Sequence, residues 1–282
     1  MASITQIDKL VQLYKQLYRI PSLAGAKLII DNKNCIRVQS VWSQRNLERL
    51  SKQTFLQEIT FNSNLQPLVN DGFPIDVTSE LLRDTSEDQS LKAILRGVTI
   101  EGKTKQFIEI WDKKHLTKSF DLSAFDVHGD VYTDIDFKAF QLSPDNTKLL
   151  YVAEKKLPKC EPFYKQKPKK KSAFENEKSK NDDEEPIKGA EYDYKPDWGE
   201  KLVGKHRSVI AILNIVDESI NVLTNIPDDY FPAQVLWAPN GIDVIGIAYK
   251  LSFQYLGLKV CTNRESYIFH LKETEFRKYN ST

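Results

Sequence analysis

Cysteine is scarce: the 282 residues contain three, Cys35, Cys160 and Cys261, far apart and without a Cys-x-x-Cys pair. That excludes a disulfide framework and a zinc cluster and points to a reducing compartment. Excess charge of either sign is missing too, since 40 Lys and Arg face 39 Asp and Glu for a net charge of +1. Bulk attraction to nucleic acid or to an anionic membrane surface is therefore not indicated. No apolar run approaches the ~20 residues of a membrane span, and Met1 to Leu10 lacks the basic start and apolar stretch of a signal peptide. A soluble, cytoplasmic protein without nucleic-acid or membrane partners is the expectation.

Catalytic signatures are absent as well. No two of the 11 glycines stand four residues apart, which rules out within these residues the Gly-x-Ser-x-Gly elbow that seats an α/β-hydrolase nucleophile. No phosphate loop, dinucleotide fingerprint, His-Glu-x-x-His helix or EF-hand loop occurs. The four histidines, His115, His128, His206 and His270, give no Ser-His-Asp pattern and read as surface or strand histidines. Asp134 and Asp136 stand near enough in sequence to share a proton but read as solvated turn residues. No catalytic, cofactor-binding or metal-ligating residue is assigned, and no cofactor is expected.

What is present is core material: 40% of residues are hydrophobic and 11% aromatic, enough for one large or two small domains. Ile7, Leu10, Val11, Tyr14, Leu17 and Tyr18 recur at three- and four-residue spacing and predict an amphipathic helix over Ser3 to Ile20. Ser3 with Gln6 forms a capping box, and Pro21 ends the element. From Ala24 the pattern turns to short runs bounded by turn residues, which predicts many short strands and, at Gln44 to Lys52, one short helical turn.

Two strand groups share a grammar. Phe140-Gln141-Leu142-Ser143-Pro144-Asp145-Asn146 precedes the run Lys148 to Ala153, and Val235-Leu236-Trp237-Ala238-Pro239-Asn240-Gly241 precedes Asp243 to Ala248. Proline presets the turn and Asp, Asn or Gly completes it, so each reads as a hairpin followed by a further strand, the order of a propeller blade. A β-sandwich uses the same hairpins. Between Lys155 and Gly204 the composition changes: lysines up to Lys171 are followed by the acidic run Asp182 to Glu185. Such a segment buries too little to offset its ordering entropy, which predicts a charged, disordered insertion at 160–195, most mobile over Lys165 to Pro186.

Three blocks carry a family likeness: Leu149-Leu150-Tyr151-Val152-Ala153-Glu154-Lys155-Lys156-Leu157-Pro158-Lys159, Asp197-Trp198-Gly199-Glu200-Lys201-Leu202-Val203 and Cys261-Thr262-Asn263-Arg264. With weaker likeness in Val41 to Arg49 and Gln106 to Trp111, the chain resembles the acylaminoacyl-peptidases, prolyl-oligopeptidase-like serine hydrolases. The resemblance implies a β-propeller preceding a C-terminal α/β-hydrolase domain, which removes N-acetylated residues from blocked peptides and carries all three triad residues. None of these has a counterpart in the 282 residues. N-acetylated peptides would be met only through that missing domain, and the chain alone is expected to be inactive.

The resulting fold class is mainly β: a partial β-propeller of about three blades (23–271) preceded by an N-terminal amphipathic helix (1–22) and followed by a divergent tail (272–282). The third blade is expected to lack its outermost strand after Leu271. Open edges and the helix stripe predict self-association or a homo-oligomer. A non-catalytic, propeller-like interaction module is the alternative function.

Overall fold

The structure, a computed structural model, describes residues 4–30, 35–68, 72–157, 160–164, 187–272 and 275–280. They divide into two compact units, Met1–Leu81 and Leu82–Thr282. The expected mobile stretch Lys165 to Pro186 and the capping Ser3 lie outside the described residues.

In the first unit, helix α1 spans Ile4–Tyr18, and Ile20 N–H closes on the Leu17 carbonyl before Pro21 ends the element. Strands β1 (Ser22–Ile30), β2 (Ile36–Asn46), β3 (Ser51–Phe61) and β4 (Ile75–Asp76) form a sheet in that order. The helical turn expected at Gln44 to Lys52 is instead the end of β2, a tight turn and the start of β3, paired up to Asn46↔Ser51. Asn46 causes the reversal: its side-chain oxygen accepts from Glu48 N–H and Arg49 N–H, and Leu50 takes a left-handed φ of 48°.

The second unit carries three more four-stranded sheets. One runs β5 (Glu80–Thr85), β6 (Lys92–Ile100), β7 (Lys103–Trp111), β8 (Leu116–Asp121). Next comes a sheet with the order β14-β13-β10-β9, built from β9 (Phe140–Leu142), β10 (Lys148–Glu154), β13 (Ser208–Asn214) and β14 (Ser219–Leu223). Between β10 and β13 lies a two-stranded parallel ribbon, β11 (Cys160–Glu161) with β12 (Ile187–Lys188). The remaining sheet is β15 (Tyr230–Trp237), β16 (Val244–Lys250), β17 (Ser266–Lys272), β18 (Glu275–Asn280).

Strand β18 corrects the expectation of a tail without an outer strand. It pairs with β17 from Tyr267↔Asn280 to Lys272↔Glu275. Phe276 supplies the reason, its ring lying 5.5 Å from that of Phe269 and 5.6 Å from that of Tyr230, while Lys278 Nζ sits 4.9 Å from the Tyr267 ring centroid. The described residues form four four-stranded sheets, β1 to β4 being one of them.

Strand β10 shows why the second unit holds together. Leu149 to Ala153 are fully buried, yet they serve two cores. Leu150 and Val152 join Phe231, Ala248 and Phe269 on one side, whereas Leu149, Tyr151 and Ala153 join Leu95, Ile108 and Ile110 on the other. The two-residue period of a strand sends alternate side chains to opposite faces, so an all-apolar run marks a sheet covered on both. Each such leucine or valine contributes about 1.5–3 kcal/mol by burial.

Candidate functional site

A polar cluster lies at the end of β10. Glu154 accepts hydrogen bonds from the Tyr132 hydroxyl, from Arg207 N–H at 2.9 Å and from His206 N–H at 3.2 Å. Burial pushes its carboxyl above the usual carboxylate range while these donors pull it back, and burial raises the Tyr132 phenol as well. Lys205 Nζ stands 4.5 Å from the centroid of the Tyr132 ring and 3.8 Å from Asp134. Asp136 pairs with Lys259. The two aspartates therefore do not share a proton, and they are paired rather than solvated as the sequence reading has them. Three donors occupy Glu154, and the cluster joins β10, β13 and the 130s loop.

The Asp197-Trp198-Gly199 block is an anchor. Asp197 accepts from Gly199 N–H at 2.9 Å and Gly204 N–H at 2.8 Å, which holds the carboxyl below its usual range and folds the segment over a short 3-10 turn at Glu200–Leu202. Trp198 and Leu202 are thereby buried in the core. The indole packs among Phe137, Phe231, Tyr249 and Tyr255, with ring centroids 5.0–5.7 Å away.

Two of the four histidines fit the reading given above. His115 is exposed beside Asp112, and His270 lies on β17 beside Asp243 at 3.1 Å. His206 sits in the loop before β13, its Nδ1 on the Pro196 carbonyl. His128 departs from it: the ring is buried in a loop, with Nδ1 on the Gly129 carbonyl and Nε2 on the Tyr151 hydroxyl, each at 2.7 Å. The four are scattered through the unit. Among the described residues no group of three or more His, Cys, Asp or Glu is placed to hold a metal, the three cysteines carry free thiols, and no helix is long and apolar enough to cross a membrane.

Among the described residues, the clefts of this unit include two beside β13 and β16. One of about 220 Å³ is lined by Lys155, Lys156, Arg207 and Tyr230. Its cations are engaged: Arg207 and Lys155 pair with Asp228, and Lys156 with Asp126. The other, of about 350 Å³, is bordered by Trp198, Leu251, Tyr255 and Arg264. Sequence reasoning singled out Trp198 and Arg264 by family likeness but gave no cleft, because the residues that form it are 66 positions apart.

Comparison with known proteins adds the family. Acylamino-acid-releasing enzyme of Rattus norvegicus is 34% identical over 279 residues, covering 95% of this chain and 38% of the relative. The enzyme of that name from Homo sapiens is 33% identical over 279 residues, again covering 95% and 38%. Acylaminoacyl peptidase of Pyrococcus horikoshii, in its orthorhombic crystal form, overlaps at 14% identity and a TM-score of 0.47, covering 95% of this chain and 33% of that one. The chain thus spans 38% of the length of the curated mammalian relatives it matches. Residues 2–282 match the family described as acylamino-acid-releasing enzyme, N-terminal domain, and the chain belongs to that family.

Proposed function

We propose that the chain is the propeller side of an enzyme that releases N-acylated amino acids from blocked peptides, with bond cleavage performed by a hydrolase portion outside these 282 residues. Its four four-stranded sheets are the blades. The observation that carries this reading is the middle sheet of the second unit: β10 is buried on both faces, against β6 and β7 on one side and β15 to β17 on the other. The three sheets of the second unit thus pack face to face, as blades do. The propeller restricts access of large substrates to the active site, and the enzyme works in the cytoplasm, where its free thiols remain reduced.

The test reads the transcript past codon 282 and compares products. An in-frame Gly-x-Ser-x-Gly region is expected, with the longer product cleaving an N-acetylalanyl peptide and residues 1–282 leaving it intact. Turnover by purified 1–282 that one serine substitution abolishes, or a supported stop codon at 283, overturns the proposal.

A further inference from the structure

Asn240 and Gly241 form the one Asn-Gly pair of the sequence, and the fold seats it in the turn between β15 and β16. Such a pair is chemically labile, because a glycine has no side chain to keep its nitrogen from the carboxamide before it. The nitrogen attacks Cγ, the Cγ–Nδ2 bond breaks, and ammonia leaves with the proton from the glycine N–H. Water then opens the cyclic imide at either carbonyl, giving aspartate or isoaspartate. Asn240 is exposed to that water, yet both reacting groups are engaged. Gly241 N–H, which must lose its proton, donates to the Ala238 carbonyl at 2.8 Å. The carboxamide oxygen accepts from Ile242 N–H at 3.1 Å and Asp243 N–H at 3.0 Å, and Nδ2 donates to Asp243 Oδ2 at 2.8 Å. Closing the imide ring removes the Gly241 N–H and Nδ2 bonds outright.

Two other hairpin turns of the second unit carry aspartate at the position of Asn240. Asp88 accepts from Ser90 N–H at 3.0 Å, and Asp145 from Thr147 N–H at 3.2 Å. An acidic side chain therefore suits the turn itself. The difference lies three residues on, where the first two turns have Leu91 and Lys148 and the third has Asp243. The Asp243 side chain is 6% exposed and meets His270 Nε2 at 3.1 Å. A carboxamide at 240 donates to this carboxylate, whereas a carboxylate there would repel it where little water screens the pair.

We propose that Asn240 is a deamidation site latched by its own turn, protected while the β15–β16 hairpin is closed and converted by water when it opens. Aspartate at 240 stands against Asp243. Isoaspartate adds a methylene to the backbone of a turn in which a Cβ on Gly241 would already lie 3.3 Å from Pro144 Cγ. Either product keeps the hairpin from closing as before, so the modification is a permanent record of opening. The site is independent of the catalytic reading, because it concerns residues of this chain alone.

The test holds the 282-residue chain at pH 8 and 37 °C, folded and in guanidinium chloride above its unfolding midpoint, beside a peptide with the sequence of Trp237 to Val244. Fragmentation mass spectrometry follows the one-dalton mass gain at residue 240. The peptide and the unfolded chain are expected to convert at similar rates, and the folded chain more slowly by a factor of about ten or more, since its conversion follows the open population. Asn240→Asp should lower the urea midpoint, and adding Asp243→Asn should recover part of the loss, a coupling that independent effects on the turn would not give. A folded chain that converts as fast as the peptide overturns the latch, and an unfolded chain that keeps its asparagine overturns the site. An Asn240→Asp midpoint that is unchanged, or not relieved by Asp243→Asn, overturns the consequence drawn for Asp243. The rate comparison uses the unaltered protein and decides even where a variant fails to fold.

Discussion

Asn146 Nδ2 lies 3.2 Å from Asp88 Oδ1, a contact that joins two turns of the same construction. In each of three hairpins a residue N–H reaches a carbonyl five positions on, and its own carbonyl accepts from the N–H three positions on: Ser86 with Leu91 and Gln89, Ser143 with Lys148 and Asn146, Ala238 with Asp243 and Gly241. The third residue is left-handed each time, with φ of 57°, 60° and 69°. A Cβ on Gly241 would lie 3.3 Å from Pro144 Cγ, so the turns touch in sequence, first to second and second to third.

Gly241→Ala is therefore expected to lose stability for two reasons, the left-handed backbone at about 1–2 kcal/mol and the push against Pro144. Gly102→Ala, at φ +78° with nothing within 4 Å of the added carbon, suffers only the first. Urea unfolding of both should rank Gly241→Ala as the more damaging; equal losses would show that the turns do not bear on each other.

The same turns mark how far the sequence could be read. Pro144 with Asn146 and Pro239 with Gly241 announce two of them, whereas Ser86-Glu87-Asp88-Gln89 has neither proline nor glycine. It is held by Ser86 Oγ, which donates to Asp88 and accepts from Leu91 N–H, and a glutamine takes the left-handed position. Strand β2 was hidden because its polar positions resemble a turn, and β18 because Glu275-Phe276-Arg277-Lys278 has a single apolar anchor. The His128, Glu154 and Trp198 contacts join residues 23, 53 and 57 positions apart, and local pattern carries no information about such pairs.

His128 and Tyr151 set a pH dependence. Burial holds the His128 imidazole below its ordinary pKa, although the Gly129 carbonyl and the charge of Asp130 oppose this. Protonation turns Nε2 into a donor and removes the acceptor for the Tyr151 hydroxyl. Because the folded value is depressed, the unfolded chain binds the proton more readily. Stability is complete above about 6.5, the unfolded pKa, and falls as pH drops through the folded value. The urea midpoint should decline between pH 7.5 and 5, and His128→Gln should flatten that slope. An unchanged slope in the variant would sink the assignment.

Gly246 lies inside β16 where no side chain fits. A Cβ there would stand 2.7 Å from Val235 Cγ1 and 2.9 Å from two ring carbons of Phe269. Gly246→Ala is expected to overpack the core and cost about 1–3 kcal/mol, read as a lower urea midpoint at unchanged m-value. Val235→Ala in the same chain should restore part of the loss, since it removes the atom in closest conflict; no recovery would place the strain elsewhere.

The apolar stripe of α1 carries the last prediction. Ile7, Leu10, Val11, Tyr14 and Leu17 share one face of the helix, and all five are exposed, Leu10 by 60% and Leu17 by 57%. A surface helix of a folded domain turns such a stripe inward, and uncovered apolar surface favours association. The 282-residue chain is expected to associate with itself through this face, as seen by light scattering behind size-exclusion chromatography at several concentrations. Leu10→Glu with Leu17→Glu places two charges on the stripe without touching either sheet core, so the mass should fall to that of the monomer while the melting curve is retained. A wild-type chain that is monomeric at every concentration contradicts the prediction, and so does association that survives the double substitution, because the contact would then lie on the sheets instead.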